Sequence, residues 1–241
     1  MSTPLEAIVL KSFDYQDHHK IVKVISPSHG LISVFIGYAS KKKSRYGALS
    51  EPLTCVNLTV KTPSDERGGL YYLIHGEITD PFYELKLEYE KIMMFYEMAE
   101  VILKGDIDPH HLPHSYRLLK GVLEAGILND IKFRLAVVYF KFKMLTLLGV
   151  VPVFDGCVSC GGTSGIVTPS IKEGGLLCKD CYTGEEILIA SGLIPLWRVM
   201  FKVDLERLMD APVAQHEMET LETWIEVYYE SYVGIRFTKR I

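Results

Sequence analysis

Four of the chain's five cysteines fall between residues 157 and 181, as Cys157, Cys160, Cys178 and Cys181, in the pattern C-x2-C-x17-C-x2-C. Two residues between paired cysteines form a tight knuckle that points both sulfurs at one ion, and this spacing is that of a four-cysteine zinc site. Gly161-Gly162 and Gly174-Gly175 supply permissive backbone around the knuckles. Four thiolates complete a tetrahedron with no position left for water, so the expected cofactor is a structural Zn2+ rather than a catalytic one. A thioredoxin-like redox pair would need a βαβ setting, which the flanking pattern lacks. Cys55 stands alone in a predicted strand and reads as a small core residue.

Other side chains could carry chemistry. His75-Gly76-Glu77 has the H-x-E form of zinc deaminases, but Gly156 rather than Pro precedes Cys157, and the two parts fall in different predicted domains. His110, His111 and His114 in "HHLPH" could approach a metal, yet Pro113 is expected to break any helix aligning them, leaving a solvated loop. There is no nucleophile elbow and no phosphate-cradling glycine loop, so no catalytic residue and no enzyme is expected. The densest positive stretch is "ASKKKSRYG", with Lys41, Lys42, Lys43 and Arg45. Such a loop on a small barrel can follow a phosphate backbone, with Phe35, Tyr38 and Tyr46 near enough to stack on bases; the plainer alternative is a solvated loop. Lys132, Arg134, Lys141 and Lys143 form a second set on a predicted helix. They read as exposed charged edges or, more sharply, as a slot for an acidic partner segment. Arg236, Lys239 and Arg240 add charge near the C-terminus.

These residues need elements to position them. Apolar, β-branched stretches at 7–13, 20–26, 31–38, 53–60 and 70–78 are separated by turn residues, and Val56, Leu58 and Val60 alternate with polar neighbours. Five short strands predict a small barrel, of OB type or, nearly as well, SH3-like. At Asp80-Pro81 the period changes, with Asp as cap and Pro in the first turn of a helix over 82–104. Further helices are expected at 115–125 and 129–148, the latter apolar nearly all round and therefore central in a bundle. After the cysteine segment, helical patterns resume at 192–201, 203–210 and 214–231. The expected fold is α+β and multidomain: a five-stranded OB-fold barrel (1–79), a helical bundle domain (80–150 and 187–241) and an inserted four-cysteine zinc module (151–186).

The 26 basic and 30 acidic residues leave a formal charge of -4, so a nucleic-acid site would have to be a local patch. No apolar run approaches the roughly 20 residues of a membrane span, and the N-terminus lacks a secretory pattern; a cytoplasmic protein with reduced thiols is expected.

The order of these parts resembles the bacterial recombination mediator family RecO. The stretch from Glu6 to Leu53, with Gly30, Gly37, Lys43, Ser44, Arg45 and Leu49, is similar to that family's first barrel strands and basic loop. "FKFKMLTLLGVVPVFDGCVSCGG" and "GGLLCKDC" resemble its zinc-carrying members, while Gln16-Asp17-His18-His19 departs from an acidic and small-residue pattern. The resemblance implies an OB-fold, a helical domain, a zinc module and no enzyme activity. It implies binding of single- and double-stranded DNA, strand annealing in DNA repair after damage, and loading of RecA on gapped DNA. Its implied partners are RecR, the acidic C-terminal tail of single-stranded DNA-binding protein and, in some bacteria, RecF; its place is the bacterial cytoplasm, with the nucleoid. DNA would lie on Lys41, Lys42, Lys43 and Arg45 with Tyr38 and Tyr46, and the tail near Lys132, Arg134, Lys141 and Lys143. The alternatives are a zinc-ribbon or OB-fold module binding RNA or a protein, and a zinc hydrolase or deaminase.

Overall fold

The computed structural model describes residues 2–41, 44, 46–63, 69–126, 130–186 and 193–237. Five strands open the chain: β1 (Ser2–Tyr15), β2 (His19–Ser26), β3 (Gly30–Ile36), β4 (Thr54–Lys61) and β5 (Tyr71–Asp80). They pair in the order β1-β2-β3-β5-β4 and close into a barrel through β4 and β1. Only β3 and β5 pair in parallel; the other neighbours are antiparallel. The period of two sorts the side chains. Leu5, Ala7, Val9, Val22, Val24, Val34, Ile36, Val56, Leu58 and Val60 fill the interior. A bulge between Val9 and Lys11 inserts Leu10 and then turns Lys11, Phe13 and Tyr15 outward. This is the OB-type barrel expected from the strand spacing.

The first helices are α1 (Tyr83–Lys86), α2 (Tyr89–Lys104) and α3 (Leu112–Ala125). The sequence pattern predicts one helix over 82–104; the structure has two segments instead. Asp80 does accept a hydrogen bond from the Phe82 amide at 2.8 Å, but Phe82 is left-handed (φ 46°), so the chain turns before α1, and α2 starts afresh at Tyr89. Pro113 also acts otherwise than expected. It occupies the first turn of α3, where no backbone N–H is needed, and so starts a helix that includes His114. Helix α2 packs on β1, and α3 on β2 and β3. Under these helices Ile8, Leu10 and Ile25 on the barrel wall are fully buried.

The chain divides into two compact units, residues 1–127 and 128–239. Helices α2 and α3 therefore share a unit with the barrel, although the sequence pattern grouped them with the helix that follows.

The second unit contains α4 (Asp130–Leu147), β6 (Val153–Cys157), β7 (Ile166–Ser170), β8 (Gly175–Cys178), α5 (Leu193–Met200), α6 (Leu205–Leu208) and α7 (Gln215–Tyr232). Every residue from Leu135 to Phe142 on α4 is buried, which makes it the central helix its composition predicts. Helix α6 is a single turn rather than the longer segment expected. The three strands form a small sheet in the order β6-β8-β7, with Pro169 in an outer strand as its missing N–H requires. Aromatic rings bind this sheet to the helices. Phe154 of β6 lies 6.3 Å from Trp197 of α5 and 5.5 Å from Trp224 of α7; Trp224 stacks on Phe142 of α4 at 5.9 Å and on Tyr228 at 4.9 Å.

Candidate metal centre and nucleic-acid interface

The sheet of the second unit converges its cysteines. Cys157 ends β6, Cys178 ends β8, and Cys160 and Cys181 follow each by one knuckle. In the first knuckle the Cys157 amide donates to the Gly162 carbonyl (2.7 Å) and the Gly161 amide returns to the Cys157 carbonyl (2.8 Å). Gly161 sits at φ +76°, where a side chain would be strained, and a Cβ on Gly156 would come 2.9 Å from the Gly161 oxygen. The second knuckle closes with the Cys181 and Tyr182 amides on the Cys178 carbonyl, at 3.1 and 3.0 Å.

The four sulfurs lie within 4.8 Å of one another, and Cys160 and Cys178 are 3.7 Å apart. A zinc tetrahedron with Zn–S bonds of about 2.3 Å has an S–S edge of about 3.8 Å, so the donor set fits such an ion. Among the described residues no other group of three or more His, Cys, Asp or Glu side chains converges in this way. Burial acts to raise the Cys157 thiol, but backbone hydrogen bonds from Cys178, Cys160 and Ser159 outweigh it and bring the thiol down to about 6. Hydrogen bonding with its three partner thiols pushes Cys181 up to about 12. A bound divalent cation holds such sulfurs as thiolates. Behind the sulfurs Arg198 of α5 donates to the carbonyls of Phe154 (3.1 Å) and Thr163 (3.2 Å), anchoring the strand and loop that lead into and out of the first knuckle.

The barrel carries a different kind of surface. The β1–β2 turn sets His19 opposite Tyr15, and the parallel β3–β5 pairing sets Phe35 beside Tyr72. The His19 ring lies 5.1 Å from Phe35 and 4.9 Å from Tyr38; Phe35 also meets Tyr15 at 6.1 Å and Tyr72 at 5.5 Å. Tyr38 is left-handed (φ 57°), and its amide donates to His19 Nδ1 at 3.1 Å, which holds its ring on the group. Tyr38 is 60% exposed, and Lys41 Nζ stands 5.8 Å from its ring centre. The result is an open platform of π-faces with a cation at its edge, which can stack bases and meet phosphate.

Of the loop residues expected to bind DNA, Tyr38 and Lys41 are on this platform, while Lys42, Lys43 and Arg45 lie outside the described residues. Tyr46 is not on it: its ring packs against the barrel core and its hydroxyl oxygen is out of solvent's reach. Tyr15, His19 and Tyr72 were not anticipated. The His19–Tyr15 pairing could have been read from a hairpin across Gln16–His18, but Tyr72 arrives through a pairing between distant segments.

Two family models match the chain. One, described as "Recombination protein O N terminal", covers residues 1–82; the other, "Recombination protein O C terminal", covers 88–241. The chain belongs to the RecO family. A similar protein named "DNA repair protein RecO" from Halalkalibacterium halodurans is 30% identical over 240 residues, 98% of this chain and 91% of that protein. One of the same name from Bacillus mycoides is 29% identical, over 100% of this chain and 96% of that protein. A third, from Oceanobacillus iheyensis, is 27% identical, over 100% and 92%.

In this RecO-family chain the α4 cations are not the exposed edges that the sequence suggested. Arg134 donates from Nε and Nη2 to both carboxylate oxygens of Glu222 on α7, at 2.9 and 2.6 Å. Lys141 is 1% exposed, with Nζ 3.9 Å from the Phe237 ring centre. Lys143 donates to the Phe201 carbonyl at 2.8 Å, and burial pushes its ammonium below the usual lysine range, with Asp204 opposing. Lys132 is half-buried. On a helix enclosed this fully a cation reaches an internal partner or stays out of the fold. Three of the four are therefore structural, and they form no open slot for an acidic segment. His75 and Glu77 are both exposed on β5, where Glu77 accepts a hydrogen bond from Asn57 at 3.2 Å; they belong to the barrel's unit and the cysteines to the other. Among the described residues no helix is long and apolar enough to cross a membrane.

Proposed function

We propose that this chain is a DNA repair and recombination mediator that works by binding rather than by catalysis. In this reading it binds single- and double-stranded DNA, anneals complementary strands and helps load RecA on gapped DNA coated with single-stranded DNA-binding protein. RecR, the tail of that protein and, in some bacteria, RecF are its partners in the bacterial cytoplasm, at the nucleoid. Family membership across both halves supports the role, as does the name that the relatives carry. The observation that carries the DNA assignment is the platform of His19, Phe35, Tyr38 and Tyr72, on which the two tyrosines are exposed, with Lys41 at its edge. Stacking serves any base, which suits a protein that must handle arbitrary sequence. Lys42, Lys43 and Arg45 follow Lys41 closely in the chain and would extend its charge along the phosphates.

The cysteine set would hold Zn2+ as a structural ion. Its four soft sulfurs suit zinc or iron, and the absence of a non-sulfur ligand suits a closed, non-catalytic site. Metal analysis of the purified protein distinguishes zinc from iron. The functional test is fluorescence anisotropy with single-stranded DNA and RNA, together with a strand-annealing assay. Tyr38→Ala/Tyr72→Ala is expected to lower DNA affinity at least about fivefold and to slow annealing. Unchanged affinity in that pair, or a clear preference for RNA, would overturn the assignment.

A further inference from the structure

We infer that the cleft between the β1–β2 hairpin and helix α2 is a second holding point for single-stranded nucleic acid, continuous with the barrel platform. It rests on the platform reading above and extends it to a longer path. The strand register lays out the connection. Tyr15 faces His19, Phe13 faces Ile21 and Lys11 faces Lys23, so Tyr15, Phe13 and Lys11 point from one face of β1 in steps of two. From Tyr15 on the platform to Lys11 is roughly 13 Å along the strand. There α2 borders the surface and leaves a cleft of about 380 Å³. Its floor is apolar, made by Leu10, Ala99 and Leu103, and its rim holds Phe13, Tyr96, Lys11, Lys23 and Lys104.

Two features of the rim name the occupant. Phe13 and Tyr96 are each 42% exposed and share one cleft rim, so two rings beside each other are open to a flat partner. The cations outnumber the acid. Glu100 pairs with Lys104, but Lys11 and Lys23 have no carboxylate partner among the described residues, and Lys11 Nζ stands 5.1 Å from the Phe13 ring centre. Exposed rings beside uncompensated ammonium groups match a base and its phosphate, as on the platform itself. The bulge at Leu10 is what makes this possible, because it buries Leu10 beneath the helix and returns Lys11 and Phe13 to the outer face. An acidic peptide would also meet the lysines, but it would not account for a cleft that continues the line of rings from Tyr15.

The experiment compares two lengths of fluorescein-labelled oligo(dT), about 6 and about 16 nucleotides, within the range of roughly 4–16 that OB-type sites span. Each is titrated against the full chain, Phe13→Ala/Tyr96→Ala, Lys11→Glu/Lys23→Glu and the platform pair Tyr38→Ala/Tyr72→Ala. Urea midpoints show that each variant is folded. Both cleft pairs are expected to bind the short strand as the parent does and to lose about fivefold or more on the long one. The lysine pair should also flatten the salt slope on the long strand by about 1.4, at ~0.7 for each phosphate contact. Normal binding of both lengths by both cleft pairs, with the platform pair weakened, overturns the cleft and leaves the platform standing. Equal loss at both lengths overturns a separate second point, as does loss of binding to a poly-glutamate peptide with oligo(dT) unaffected. If the platform pair also binds normally, the proposed function itself falls.

Discussion

Tyr38, Tyr72 and Tyr15 on the barrel leave 60, 49 and 43% of their surface open, whereas Trp197, Phe142 and Tyr229 in the second unit expose none. The cations divide in the same way. Lys11 and Lys41 stand over exposed rings of the barrel, while Lys141 lies within the second unit, its ammonium against Phe237. One pairing of residue types thus does two jobs. Where a ring has both faces packed, its contribution is burial and fit; where one face is open, it is a site waiting for a flat partner. The barrel can expose rings because its interior is already filled by aliphatic side chains from the strands. The second unit has only a small sheet of three short strands, so the rings of α4, α5 and α7 pack on it to build the core, and its sulfurs gather at one end.

The sharpest break of this comparison is removal of the ion that the four cysteines are proposed to hold. In a sheet of three short strands ligation free energy is folding free energy, on the order of 10 kcal/mol in small zinc modules. Chelation, or Cys178→Ser, is expected to abolish hydrogen-exchange protection of amides in β6 to β8 and leave protection in β1 to β4 intact. Equal loss in both would mean that the barrel depends on the cysteine site too. Next in size is Phe142→Ala, which empties the ring stacked on Trp224 and should cost about 3–5 kcal/mol by urea denaturation. The same variant, assayed at a temperature where it is folded, should bind DNA normally. Tyr38→Ala should reverse that pattern. It is expected to cost about 1–3 kcal/mol in DNA affinity and less than about 0.5 kcal/mol in stability. A large stability loss there would assign Tyr38 to the core and weaken the distinction between the units.

The smallest effect lies in the ion pair of Glu6 and Lys120, 2.6 Å apart and about two-fifths exposed. The hydrogen bond and charge of Lys120 hold the Glu6 carboxyl below its ordinary 4.5. A depressed carboxyl contributes stability above its unfolded value and loses it as pH falls through the folded one. Glu6→Gln should therefore be less stable than the parent at pH 7, by under about 1 kcal/mol because solvent screens the pair. The gap should close below about pH 4 in urea melts; a gap that persists at about pH 3 would assign the loss to packing.

The contrast also shows what was legible before any coordinates. The five strands came through within a few residues because a half-buried strand writes its pattern every second position. The buried α4 was equally plain, since a helix apolar nearly all round has only one place to go. The roles of its charges were not. Arg134 and Lys143 look alike in sequence, and only the approach of α7 and of Phe201 decides that one meets Glu222 and the other a carbonyl. The helix expected at 115–125 is there, but its start at Leu112 and Pro113 escapes a sequence reading for a local reason: a proline's effect depends on whether it falls inside a helix or in its first turn, and that is settled by where the preceding turn ends.

By itself, the sequence determined the barrel strands, the central helix and the metal-ligand set. Each is a short-range signal: alternation, a helix apolar nearly all round, and two cysteines held at knuckle spacing. Tertiary structure alone decided which rings and cations remain available. Tyr72 joins the platform through a parallel pairing with a strand more than 30 residues earlier, and Tyr96 shares a cleft with Phe13 only because α2 lies along β1. Availability is a property of what packs on the other side, and no local pattern encodes that.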